Sequence, residues 1–365
     1  MNRIDQVEIL MVDLQPKVRR TDAIQSFVSQ ETPIVRIRTT DGAVGTGYSY
    51  TIGTGGHAVV SLLERHLVPR LLGRDPAMIE QIWRDLLFAT HATSIGAVTS
   101  LALAAIDTAL WDLRCLVAGQ PLHRMAGGAQ SQVPLYTTEG GWLHIETPAL
   151  VEDALRAKQA GFGGCKLKVG RRPHEDVARL SAVREAVGPD FEIMVDANQA
   201  FAVDEAIRRA RLYEPLDLAW FEEPLPADDL DGHVRLCAAT TLPVAVGESI
   251  YGLGHFRDYL QKGACSVVQV DVARIGGITP WLKVAHMAEA FNLPVSPHFL
   301  MELHVSLSSA VPNGRWVEYI PQLDGITHTG MAIEAGHAIP PAEPGLGITW
   351  DWEQIRAQSI VNVIL

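Results

Sequence analysis

Cysteine is scarce in this chain. The four that occur, Cys115, Cys165, Cys237 and Cys265, lie far apart and form no C-x-x-C pair. That excludes zinc fingers, dithiol redox motifs and a disulfide framework, and it fits a reducing cytoplasm. Positive charge is also in deficit. Lys and Arg number 30 against 42 Asp and Glu, a net charge of −12 at pH 7. No basic field is available to displace counterions from nucleic acid. No stretch of about 18 uncharged apolar residues has the character of a membrane span; the Ala-rich "GAVTSLALAAI" is cut by Asp107 and Asp112. Charges scattered through "MNRIDQVEILMVDLQ" do not read as a signal peptide. The expectation is a cytoplasmic globular protein with neither nucleic acid nor membrane as a partner.

What is present is ample core, with 47% of 365 residues hydrophobic, and a rhythm. From about residue 133, short β-branched runs alternate with longer helical patterns. The runs are "VPLYTT" (133–138), "CKLKV" (165–169), "FEIMVD" (191–196), "LAWFEE" (218–223), "PVAVGE" (243–248), "SVVQVD" (266–271), "LPVSPH" (293–298) and "RWVEYI" (315–320). Alternating β and α units imply a parallel sheet, and eight of them predict an α/β fold closed as a (β/α)8 barrel. An open doubly wound sheet would normally carry a G-x-G-x-x-G turn after its first strand, and no such turn follows these runs. Residues 1–125 differ: strand-like "QVEILMVDLQ", "TPIVRIRTTDG" and "GTGYSYT" with helix-like "MIEQIWRDLLFAT" and "VTSLALAAIDTALWDLRCLVAG" predict an α+β capping domain. The barrel is expected over 126–325. The Pro- and Gly-rich tail, 326–365, is expected to return and pack on the capping domain.

Active sites of such barrels lie at the C-terminal ends of the strands. Reading those ends in order gives Lys166 and Lys168, Asp196, Glu222 or Glu223, Glu248, Asp271 and His298, with Glu318 in the eighth run. Asp196, Glu222 and Glu248 are each one α/β unit apart. Three carboxylates on adjacent strands cannot all stay ionised in a small pocket without a cation. Hard oxygen ligands on rigid elements suit Mg²⁺. Glu222 and Glu223 are neighbours and point to opposite faces, so one alone can be a ligand. Asn198, two residues past Asp196, is placed to support the same site.

"KLK", "MVDANQ", "FEEP", "VGES", "QVDVARIGG" and "SPHF", in this order, resemble the enolase superfamily and its mandelate racemase subgroup. The likeness covers essentially the whole chain, including "AAIDTALWDL". It implies an enolase-like modified barrel with an N-terminal cap, a small-molecule carboxylate as substrate, and Mg²⁺ held by Asp196, Glu222 and Glu248. It makes Lys168 one general base, Lys166 a cation beside the substrate carboxylate, and Asp271 with His298 a dyad on the opposite face. Glu318 becomes an acid that hydrogen-bonds the carboxylate as it turns into an enediolate. A homo-oligomer is also expected. Base catalysis requires neutral Lys168, and the charge on Lys166 together with burial is expected to lower its pKa.

The subgroup holds acid sugar dehydratases, racemases, epimerases and cycloisomerases. "GYSY", "YTTEGGWLH" and "SPHFLMELHVSLSSA" are most similar to the talarate/galactarate dehydratases. The reaction that this implies is dehydration of an aldonate or aldarate to a 2-keto-3-deoxy acid, with a racemase, epimerase or cycloisomerase of hydroxy acids or sugar acid lactones as the alternative. Basic residues follow "SYS" in those dehydratases, whereas "SYTIGTGG" here has none. Lys17, Arg19 and Arg20 are the substitutes expected to bind the distal end of the substrate, with Tyr50 and Asn198 also in the binding set. Segments 15–30 and 45–57 are expected to form a lid. His304 reads as structural or solvent-facing, and the "LALAAIDTALWDL" stripe as core.

Overall fold

The first apolar run, Ile4–Leu14, is a strand buried over most of its length. It pairs antiparallel with Gln30–Thr39 on one side and with the C-terminal strand Ser359–Ile364 on the other; Val44–Tyr48 completes a four-stranded sheet. The tail therefore closes the edge of the sheet formed by the chain's beginning. This computed structural model describes residues 2–328 and 330–365.

The helix Ala97–Ala118 lies between that sheet and the barrel, which is why its apolar residues occupy nearly all of its circumference. Two aspartates interrupt them and both are used. Asp107 accepts the Thr279 N–H at 2.8 Å, at the start of the barrel helix Ile278–Ala290. Asp112 accepts Thr46 N–H on one oxygen and Leu346 N–H on the other. Burial pushes Asp107 up to about 7 and Asp112 up to about 6, against the pull of these N–H donors. Each aspartate ties the cap helix to a different part of the chain.

The glycine-rich segment 45–57, expected to be a lid, begins as strand. A Cβ on Gly45 would lie 2.3 Å from the Ala109 carbonyl, and one on Gly47 2.3 Å from the Ala105 carbonyl. These glycines let strand and helix approach closely. Only residues past Tyr48 leave the sheet, and a helix begins at Gly56.

The second unit is a closed barrel. Strands Val133–Thr137, Gly164–Lys168, Glu192–Asp196, Trp220–Glu222, Val244–Val246 and Val267–Val268 follow in parallel order. Val317–Tyr319 pairs with the first of them and closes the ring. The seventh run, expected as a strand over 293–298, is reduced to single bridges from Val295 to Val268 and Gly314. Alternation divides the residues between two cores. Tyr136, Met194, Trp220, Ala245 and Val267 pack inside the barrel, while Leu167, Val195 and Phe221 face the surrounding helices.

Gly47→Ala is expected to lower unfolding free energy by about 1–3 kcal/mol through overpacking against helix backbone. Urea denaturation checks this, with Gly42→Ala as the comparison, since a Cβ there meets nothing within 4 Å although its φ of 89° adds strain of its own.

Candidate active site

Strand register assembles the site. Lys168 pairs with Asp196, and Asp196 with Glu222, so three strand ends stand side by side. One layer deeper, Lys166 is level with Met194 and Trp220 at the top of the inner core. Ligand oxygens of Asp196, Glu222 and Glu248 all lie within 4.8 Å of one another, and all three residues are buried. Glu223 is not part of that cluster: it follows the end of its strand at φ 37°, and it is also buried. Asn198 and Phe299 also hold positive φ just past strand ends. Such conformations cost on the order of 1–3 kcal/mol each and gather where a site dictates the backbone.

The two lysines bind this carboxylate wall differently. Lys166 Nζ lies 2.7 Å from Glu222 and 2.9 Å from Glu318. Burial works to lower its pKa, but these carboxylates hold it well above the usual lysine range. Lys168 hydrogen-bonds Asp196 directly. The expected lowering of its pKa does not occur in this arrangement. Burial and Lys166 do press it down, but the Asp196 charge outweighs them and raises it. Glu318 also departs from the expected protonated acid. Its oxygens accept the Thr138 hydroxyl at 2.5 Å and the Phe299 N–H at 2.9 Å, beside Lys166. Burial favours protonation, yet Lys166 and these donors hold Glu318 below the usual carboxylate range.

Across the pocket, His298 Nδ1 lies 2.8 Å from Asp271 Oδ2. Burial opposes charge on both but is overcome: His298 takes Asp271 down to about 2, and Glu248, followed by Asp271, raises His298. His298 Nε2 is left facing Glu248 Oε2 at 3.4 Å. Tyr50 donates its hydroxyl hydrogen to Asp271 Oδ2 at 2.6 Å. It belongs to the dyad's hydrogen-bond network, a link invisible in sequence because 221 residues separate the two. Arg274 was also missed, although it stands inside "QVDVARIGG". Its guanidinium bonds the Glu248 carboxylate at 3.3 Å. His304 is structural, as expected, but buried: Nε2 accepts Val272 N–H and Nδ1 contacts the Phe299 carbonyl.

The residues fit a divalent cation. Asp196, Glu222, Glu223, Glu248, Asp271 and Glu318 are buried carboxylates that outnumber the cationic side chains among them, Lys166, Lys168, Arg274 and the His298 imidazole. Burial, with the charges of Asp196, Glu248 and Glu318, pushes Glu222 up to about 7 against the pull of Lys166. Among the described residues, Glu248 Oε2 and Asn198 Oδ1 are buried without a hydrogen-bond partner, which matches an all-oxygen ligand set.

Of the expected distal cations, the structure brings in one. The Lys17 side chain is 78% exposed and paired with Asp324. Arg19 is exposed and bonds Ser26. Arg20 is 1% exposed. It spans the barrel mouth, bonding Gln322 at 3.0 Å, Glu139 at 2.7 Å and the Pro321 carbonyl at 3.2 Å.

Comparison with known proteins agrees with this geometry. The model of the mandelate racemase/muconate lactonizing enzyme N-terminal domain matches residues 6–127, and that of the enolase C-terminal domain-like fold matches 149–355. The chain belongs to the mandelate racemase/muconate lactonizing enzyme family. Within this enolase superfamily group, it is 37% identical to L-talarate/galactarate dehydratase of Salmonella typhimurium, over 88% of this chain and 81% of that one. It is 36% identical to 3,6-anhydro-alpha-L-galactonate cycloisomerase of Streptomyces coelicolor, over 96% and 98%. A crystal structure of the Salmonella dehydratase with Mg and L-lyxarohydroxamate superimposes with a TM-score of 0.95 at 34% identity, covering 100% of this chain and 94% of that one. Family members therefore include acid sugar dehydratases and cycloisomerases, and Mg accompanies solved structures among them.

If the Asp196–Glu222–Glu248 cluster is the metal site, Glu222→Gln weakens Mg²⁺ binding at least tenfold while Glu223→Gln changes it less. Isothermal titration of the metal-free protein with Mg²⁺ reads this directly. Equal losses would show that the wrong glutamate has been assigned.

Proposed function

We propose that this protein removes the proton alpha to a carboxylate in a hydroxylated sugar acid and eliminates water, giving a 2-keto-3-deoxy acid. The observation that carries the reading is the placement of two proton-transfer groups against one carboxylate cluster. Lys168 meets it at Asp196, and His298 meets it at Glu248. An aldonate or aldarate lying over the cluster has one such group on each side. The dehydratase relatives support this outcome; the cycloisomerase relative keeps isomerisation as the second reading.

The proposed chemistry follows from what each side chain can do. Asp196, Glu222 and Glu248 would hold Mg²⁺, which when bound supplies Lewis-acid stabilisation of a substrate carboxylate. Lys168 in its neutral form takes the α-proton. Lys166, kept charged by its neighbours, stabilises the enediolate that develops; such fixed charge is most effective in a dry, preorganised site. Hydroxide is a poor leaving group, so the β-hydroxyl needs a proton. His298, oriented by Asp271, delivers it through Nε2, and water departs. The resulting enol takes up a proton at C3 as it becomes the ketone. For the opposite configuration at the α-carbon, His298 is the base instead. Tyr50 and Arg20, contributed by the capping domain, close the mouth and exclude water from the intermediate.

In D₂O with Mg²⁺, a panel of sugar acids is expected to include one giving a 2-keto product with deuterium at C3. Recovery of unchanged constitution with deuterium at C2 and inverted configuration would establish a racemase or epimerase. His298→Asn is expected to reduce dehydration about 10²–10⁴-fold while leaving Lys168-dependent exchange of the α-proton measurable by NMR. Loss of exchange and dehydration in equal measure would remove the separate roles given to the two groups.

A further inference from the structure

Arg20 and Glu139 occupy a particular place in the roof of the site. The Arg20 guanidinium lies 5.9 Å from the Trp142 ring centroid and 5.9 Å from that of Phe299. Trp142 in turn lies 5.4 Å from Lys168 Nζ, and Phe299 stacks on the His298 ring at 5.2 Å. The guanidinium is therefore suspended between the two rings that cover the two proton-transfer groups. It is also already engaged, with its Nη2 bonded to the Glu139 carboxylate at 2.7 Å. Glu139 follows directly on Thr138, the residue that binds Glu318. Beside the half-buried Glu139, Asp22, two residues beyond Arg20, adds a buried carboxylate, held by the Ile24 and Gln25 N–H groups and close enough to feel the charge of Lys168. Arg20 Nε–H is buried and has no partner among the described residues.

We infer that the Arg20–Glu139 pair reads the distal end of the substrate and selects a sugar acid ending in a hydroxyl over one ending in a second carboxylate. The inference rests on the sugar-acid reading above and narrows it to aldonate-type monoacids. A second carboxylate arriving at Arg20 would face Glu139 across the same guanidinium, with Asp22 nearby, and like charges in a water-poor site repel strongly. A hydroxyl has no such conflict. It accepts from the free Nε–H and donates to the Glu139 carboxylate, satisfying both groups, and a site built to hydrogen-bond a hydroxyl discriminates well against analogues that leave its polar groups unpaired. Lys17 does not offset this, since it is exposed and neutralised by Asp324.

The test uses the full-length protein with Mg²⁺ and matched pairs of the same carbon skeleton, such as galactonate with galactarate and gluconate with glucarate. Binding is measured by isothermal titration and α-proton exchange by NMR. The wild type is expected to favour the monoacid of the productive pair at least tenfold in Kd or in exchange kcat/KM. Glu139→Gln is expected to keep the fold, judged by an unchanged far-UV circular dichroism spectrum and melting temperature, and to reduce that preference at least tenfold by freeing Arg20 for a carboxylate. A wild type that prefers the diacid, or a ratio unaltered in Glu139→Gln, overturns the inference and leaves the proposed chemistry standing. Absence of binding and of exchange with every sugar acid would overturn both.

Discussion

Charge held out of water governs this molecule. Carboxylates outnumber cationic side chains at one barrel mouth, nearly all of them buried. Isolated ions in such a place cost several kcal/mol each, so they must be paired, protonated or bound to metal. The contacts show pairing carried as far as the chain allows: Lys166 with Glu222 and Glu318, Lys168 with Asp196, Arg274 with Glu248, His298 with Asp271. What remains is a surplus of negative charge around Asp196, Glu222 and Glu248. Barrel closure, the glycine contacts under the cap helix and the return of the C-terminal strand can be read as the framework that keeps this array in register.

That surplus also bears on the first step proposed. Lys168 is bound to the carboxylate that would serve as a metal ligand. Its proton is retained because Asp196 holds it. A divalent ion held by Asp196 would add positive charge beside the ammonium and compete with it for the carboxylate, and both effects would favour the neutral amine. One contact thus links cation binding to the basicity needed for proton abstraction. The capping domain adds a second link, since Tyr50 reaches into the Asp271–His298 pair from outside the barrel.

Much of this was legible in the sequence. Period-two alternation and one-unit spacing placed Lys168, Asp196 and Glu222 at neighbouring strand ends, and the register aligns them. The seventh strand was less so: "LPVSPH" has the composition of a strand, yet only Val295 bridges its neighbours. Protonation states were not legible. The expectation for Lys168 counted Lys166 and burial but not the contact with Asp196; that for Glu318 did not foresee Thr138 and Phe299 as donors. Loop residues were the hardest. Lys17, Arg19 and Arg20 look equivalent in "KVRR", and only tertiary structure turns one inward and two out. Glycines 45 and 47 lie in "GTGYSYT", which reads as strand and is one, but their close approach to a helix some 60 residues away was not legible.

The central claim is that cation binding at the carboxylate cluster sets Lys168 free to act as a base. Titration of Lys168 by NMR of ¹³Cε-labelled lysine, assigned with Lys168→Arg and recorded in saturating Mg²⁺ and in chelator, tests it most directly. The account predicts that Mg²⁺ moves the Lys168 titration to lower pH while Lys166 stays protonated across the range. A Lys168 titration that is the same with Mg²⁺ and without it would contradict the account.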